Sequence, residues 1–175
     1  MKTLSKLLAA FALVCIGVSR AGAQGLAEQD KANKTTEVSN LVAGGRYTFV
    51  ATKRLLGKGE AEPMKTGYTL DISKDTLVAH LPGYSRVIPS AIGDSALTCT
   101  HFSYQAVPGK SGNQLITIRP EKGKAGDMND IRELRLNISA LGYATLTVAG
   151  KKPVSCYGYI RGHIAEFAPV SAQIE

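Results

Sequence analysis

Tryptophan is missing from this 175-residue chain, and Phe, Trp and Tyr together supply only 6% of it. A core must therefore rest on aliphatic side chains, and a sugar-stacking role is weakened because only tyrosine is left for it. Three cysteines are too few for a disulfide-stapled miniprotein. Acidic groups are the minority, 14 against 21 Lys plus Arg, which excludes an acidic disordered chain. There is no Walker loop, dinucleotide fingerprint or G-x-S-x-G elbow. Gly57-Lys58-Gly59 and Gly109-Lys110-Ser111-Gly112 are too short to cradle a phosphate and fall in hairpin loops. The length fits one domain.

The one long apolar run lies at the start. Lys2 and Lys6 precede Leu7 to Val18, and Ala21-Gly22-Ala23 follows with the small-x-small pattern of a cleavage site. Residues 1–23 therefore read as a secretory signal peptide cleaved after Ala23, too short for a membrane span. Cys15 follows Val14 inside the run, so it is no lipid-anchor cysteine. Removal leaves 152 residues with 18 basic and 14 acidic groups, and only Cys99 and Cys156. The expected location is periplasmic or secreted, with neither a membrane span nor a lipid anchor after cleavage.

Residues 24–40 read as a polar leader entering a short helix that stops at Gly44-Gly45. A single β domain is expected over 41–168, with a tail at 169–175. Short segments rich in Tyr, Thr, Val, Ile and Leu alternate there with Gly/Pro/Asn/Asp/Lys clusters. Tyr47, Phe49 and Ala51 share one face; so do Leu134, Leu136 and Ile138, and so do Ala144, Leu146 and Val148. Ser73 to Thr76 should turn a hairpin between Tyr68-Leu70-Ile72 and Leu77-Ala79-Leu81. In 96–105 the parity switches between Cys99 and Phe102, which predicts either a bulge or a strand covered on both faces. The expected fold is all-β: an antiparallel, mostly up-and-down sheet of eight or nine strands forming a sandwich or an open or closed barrel.

Tyr47-x-Phe49, Tyr68-x-Leu70, Leu81-Pro82-x-x-x-Arg86, Phe102-x-Tyr104, Gly142-Tyr143-Ala144-x-Leu146-x-Val148 and Tyr157-Gly158-Tyr159-Ile160 carry a family likeness. The run over roughly 38–161 resembles domain of unknown function 4251, small exported proteins of Bacteroidota. The family's Leu-Pro-Tyr-Phe-Gly-Arg-like segment reads Leu81-Pro82-Gly83-Tyr84-Ser85-Arg86 here, departing at three positions. The resemblance implies an exported β fold and supplies no mechanism.

Candidate sites remain scattered. Cys99 and Cys156 form either a disulfide, whose 57-residue separation would stabilise by about 4 kcal/mol in the chain-entropy view, or two separate buried thiols. His101 and His163 would be needed to complete a Cys₂His₂ metal set, but C-x-H lacks the usual knuckle spacing; no metal and no cofactor are expected. His80, His101 and His163 lie in or beside strands without a nucleophile and carboxylate at a recognisable spacing, so no catalytic residue is assigned. Lys122, Lys124, Lys151 and Lys152 should gather at one end of a meander, apart from Lys53, Arg54 and Lys58, and serve either anionic ligands or solubility. Tyr84, Arg86, Tyr157 and Tyr159 are candidates to line a ligand mouth. Thr76 and Ser95 sit in Asp-Ser/Thr-apolar triplets that resemble O-glycosylation acceptors. The expectation is a non-catalytic envelope protein binding a small ligand, glycan or protein partner, and not nucleic acid. A structural module without ligand, or a hydrolase of envelope or dietary polymers, are the alternatives.

Overall fold

The structure, a computed structural model, describes residues 28–65, 67–84 and 96–163. The expected signal peptide and its cleavage site, Arg86, Ser95 and the 169–175 tail lie outside the described residues.

One antiparallel sheet makes up the domain. Its strands are β1 (Tyr47–Gly57), β2 (Glu60–Pro63), β3 (Thr69–Ile72), β4 (Leu77–His80), β5 (Leu97–Cys99), β6 (Phe102–Pro108), β7 (Gln114–Pro120), β8 (Ile131–Ile138), β9 (Tyr143–Gly150) and β10 (Val154–Gly162). Nine of them follow the order β5-β4-β3-β1-β10-β9-β8-β7-β6, and β2 is a hairpin extension of β1. The last strand thus returns to the first, with Tyr47 opposite Gly162 and Phe49 opposite Ile160. The sheet is nearly closed into a barrel, and its open seam falls between β5 and β6, which are neighbours in sequence.

That seam corrects the reading of 96–105. The parity switch is neither a bulge nor a doubly covered strand: it is a break at Thr100-His101 where the chain leaves β4 and passes to β7. The break is held by the His101 carbonyl, which accepts bonds from Cys99 Sγ at 3.3 Å and from the Glu121 N–H at 2.8 Å.

Alternation decides which side chains turn inward. Tyr47, Phe49, Leu70, Ile116, Leu136 and Leu146 are among those wholly buried inside, each contributing about 1.5–3 kcal/mol of apolar burial. The hairpin expected at 73–76 forms, pairing Ile72 with Leu77 and closing with Ser73 N–H on the Thr76 carbonyl at 2.9 Å. At Gly158, an added Cβ would overlap the Val50 carbonyl, because β1 bulges between Ala51 and Lys53 and comes in against β10. Glycine is what lets these two strands close the barrel.

Both ends of the barrel are stoppered. At one end lies helix α1, residues 28–44. It is longer than the expected short helix, extending back through the polar leader. Ala, Glu, Lys and Gln favour helix strongly, so the short stripe Val38, Leu41 and Val42 is enough to dock it. Val38 and Val42 are buried, and Gly45 caps the helix with φ +60° and its N–H on the Val42 carbonyl. Gly142, at φ +86° in the β8–β9 turn, leaves room for Val38: a Cβ there would stand 3.2 Å from its methyl. At the other end the β7–β8 loop folds inward through a short 3₁₀ turn, Gly126–Met128, and buries Ala125 and Met128 completely.

Candidate functional site

Stoppered ends and a filled interior leave the outer surface as the place where chemistry can be offered. Two depressions stand out, on different parts of the barrel.

The first lies on the outer face of β8, β9 and β10, beside the turn that joins β8 to β9. Tyr143 and Tyr157 belong to the solvent-facing parity of their strands, as does Tyr159. Register places Tyr143 opposite Tyr159 and one diagonal step from Tyr157, a reach that aromatic rings can span. The Tyr143 and Tyr157 rings lie nearly parallel, 11° apart with centroids at 6.3 Å. Exposure is high for tyrosine: 54% for Tyr143, 36% for Tyr157 and 40% for Tyr159, with Leu141 beside them at 39%. The rings border an open groove of about 470 Å³ whose other walls include Asn113, Asn137, Ser139 and Thr145. Among the described residues, no charged side chain lines it. The Ser139 hydroxyl is buried and has no hydrogen-bond partner among the described residues, which is costly unless something supplies one.

The second is a cleft of about 460 Å³ at the end stoppered by the β7–β8 loop. Pro120, Ala125 and Ile131 form its apolar part, and Lys122, Arg132 and Lys151 stand around it. The two lysine loops do meet at this end, since Gly150 lies opposite Ile131 and Lys151 N–H bonds the Asp130 carbonyl at 3.1 Å. Of the four lysines singled out in sequence, however, only Lys122 and Lys151 line the cleft. Lys151 pairs with Asp130 at 2.6 Å, Lys124 with Glu121 at 3.4 Å, and Lys152 Nζ donates to the Gly83 carbonyl at 3.0 Å. Lys122 and Arg132 make no ion pair among the described residues.

The tyrosines singled out in sequence do not form one mouth. Tyr157 and Tyr159 share the outer face of β10, whereas Tyr84 braces the β9–β10 turn, its hydroxyl accepting the Lys152 N–H at 3.2 Å. Partial burial raises the Tyr84 phenol above its ordinary value, and that hydrogen bond offsets part of the rise. Tyr143, which completes the stack, was not singled out. The signal for it was present: a tyrosine on the wet parity of β9, facing a second tyrosine on the wet parity of β10.

The remaining candidates are dispersed. Cys99 and Cys156 are both free and buried, on β5 and β10 with three strands between them, so the bridge is not formed. Burial raises both thiols, with the His101 carbonyl contact lowering Cys99 in part and Arg54 lowering Cys156 in part. His101 meets Thr100 Oγ1 at 3.1 Å, and His163 Nε2 lies 3.2 Å from the Ile72 carbonyl. Cys99 meets His101 only through the backbone carbonyl, and no group of three metal-ligating side chains gathers among the described residues. Thr76 is half-buried in the β3–β4 turn, its hydroxyl bonded to Asp75 Oδ1 at 3.3 Å. Inside the seam Tyr47 and Tyr104 join hydroxyls at 3.2 Å, and Tyr104 donates to the Val42 carbonyl of α1 at 3.3 Å.

Comparison with known proteins agrees with this architecture. The family described as "Domain of unknown function (DUF4251)" matches residues 29–160. Among solved structures, the crystal structure of a DUF4251 family protein from Bacteroides eggerthii DSM 20697 at 1.95 Å resolution is similar, with a TM-score of 0.56 at 13% identity over 75% of this chain and 89% of that one. At that identity the likeness is one of fold. No curated protein matches the chain.

Proposed function

The chain belongs to the DUF4251 family, and from that premise we propose that it is a non-catalytic exported protein that binds its ligand on the outside of a filled barrel. The observation that carries this reading is the contrast between interior and surface. Tyr47, Phe49, Leu136 and their neighbours fill the lumen, and α1 and the Gly126–Met128 turn close its ends. The exposed tyrosine groove on β9 and β10 and the basic end cleft are left as binding surfaces. Export is supported by Lys2, Lys6, the apolar run Leu7 to Val18 and Ala21-Gly22-Ala23. The non-catalytic half of the reading is motivated by the local engagement of two of the histidine rings, His101 Nδ1 with Thr100 Oγ1 and His163 Nε2 with the Ile72 carbonyl.

The end cleft favours a second, anionic class of ligand, because Lys122 and Arg132 make no ion pair among the described residues and the Asp130 carboxylate in the same lining is paired with Lys151. Envelope phosphates and acidic glycans have that chemistry.

Two measurements test the proposal. N-terminal sequencing of the protein recovered from the cell envelope or medium should begin at Gln24; an intact Met1 terminus would remove the export half. Crystals soaked with small neutral and anionic fragments should show them on the outer face or at the basic end. Fragments seated inside the barrel, against Phe49 or Leu136, would contradict surface binding.

A further inference from the structure

We propose that the groove on the outer face of β9 and β10 is a binding site for a neutral oligosaccharide, stacked on Tyr143 and Tyr157. This rests on the reading of the protein as a surface-binding domain and names the ligand class of one of its two surfaces. Three features select that class. Two exposed, nearly parallel rings, 11° apart and 6.3 Å between centroids, offer apolar ring surface to a ligand with flat C–H faces. The surroundings of the rings supply hydrogen bonds in both directions: the Asn113 and Asn137 amides and the Thr145 hydroxyl each donate and accept, matching hydroxyl groups on a sugar ring. The Ser139 hydroxyl, a buried group of the same lining, has no hydrogen-bond partner among the described residues.

Charge narrows the choice further. Among the described residues the lining contains no Lys, Arg, Asp or Glu, so no cation among them would repay the desolvation of a phosphate, sulfate or uronate. The unpaired basic groups, Lys122 and Arg132, belong to the cleft at the far end. A protein partner fits less well, because the groove pairs an open, rigid sheet face with a hydroxyl-and-amide rim, without the central buried pocket that anchors a protein interface. Tyrosine suits the role since it presents a large ring at the cost of two torsions only.

The test is titration calorimetry of the exported protein with maltoheptaose, cellohexaose, xylohexaose and mannohexaose, and with oligogalacturonate and heparin fragments as anionic controls. At least one neutral oligosaccharide should bind, and any binding of the anionic ones should be indifferent to Tyr143→Ala. Tyr143→Ala and Tyr157→Ala should each weaken that binding by about tenfold or more, Tyr157→Phe should keep it, and Tyr84→Ala should leave it unchanged. Since both rings are exposed, retention of the thermal unfolding midpoint should show that the variants fold. Failure of every neutral oligosaccharide to bind, or indifference to Tyr143→Ala, would overturn the inference. So would a dimer in sedimentation that Tyr143→Ala dissociates, which would give the groove to a second copy. Binding of an anionic oligosaccharide that Tyr143→Ala abolishes would sink the neutral-sugar assignment while leaving surface binding intact; fragments found only inside the barrel would sink both.

Discussion

Tyr143 and Gly158 show opposite ways in which a single residue matters. Tyr143 is exposed and touches no core group, so Tyr143→Ala should cost under about 1 kcal/mol of stability, the worth of a cross-strand aromatic pair; urea unfolding would read this. Gly158 has no side chain to contribute, yet a methyl there meets the Val50 carbonyl where β1 bulges. Gly158→Ala should therefore cost about 3 kcal/mol, the upper end for an overpacked site, and a midpoint shift under 0.5 kcal/mol would contradict the packing described. The two thiols make a third case. Burial holds both Cys99 and Cys156 above the ordinary thiol value and away from solvent. Iodoacetamide should leave them untouched in the folded protein and label both on unfolding without reductant. An unfolded, unreduced protein with no reactive thiol would show a bridge instead.

At the scale of elements, α1 is a stopper held by the short apolar stripe Val38, Leu41 and Val42. Val38→Asp would bury a carboxylate without a partner against Gly142 and Ile160, costing several kcal/mol unless the helix detaches. Hydrogen exchange should then rise in α1 and at the start of β1, while β7, β8 and β9 keep their protection. Exchange that rises uniformly would mean that α1 is part of the core rather than a lid on it. The elements were also the most legible level of the sequence. Alternation identified the strands around Phe49, Leu70, Leu136 and Leu146, and the 73–76 turn, because a half-buried strand repeats every two residues. The break at Thr100-His101 was not legible: a change of parity looks the same for a bulge and for a strand that ends and restarts. The inward fold of Ala125 and Met128 was hidden for another reason, since two isolated apolar residues in a polar loop carry no period. The tyrosine stack needed register between β9 and β10, which alternation within each strand does not contain.

For the molecule as a whole, the barrel encloses phenols and thiols that burial keeps protonated. Burial pushes Tyr47 up, helped by its neighbour Tyr104, and pushes Tyr104 up against the partial relief of that same hydrogen bond. The unfolded chain releases these protons near the ordinary values of 9.0 for Cys and 10.0 for Tyr, while the folded chain still holds them. Above those values the unfolded state binds fewer protons than the native one, so stability falls as pH rises. Unfolding midpoints should be flat from pH 7 to about 8.5 and drop steadily beyond pH 10, and the Tyr47→Phe, Tyr104→Phe double variant should drop less. The filled barrel bears on the proposed binding, which it assigns to the outer surface. The most direct test is residue-resolved amide chemical-shift mapping of the protein titrated with a neutral oligosaccharide. Shifts confined to Asn113, Asn137 to Thr145 and Tyr157 to Tyr159 are the predicted result. Shifts centred on Phe49, Leu70 and Ile116 would place the ligand in the lumen and contradict the account.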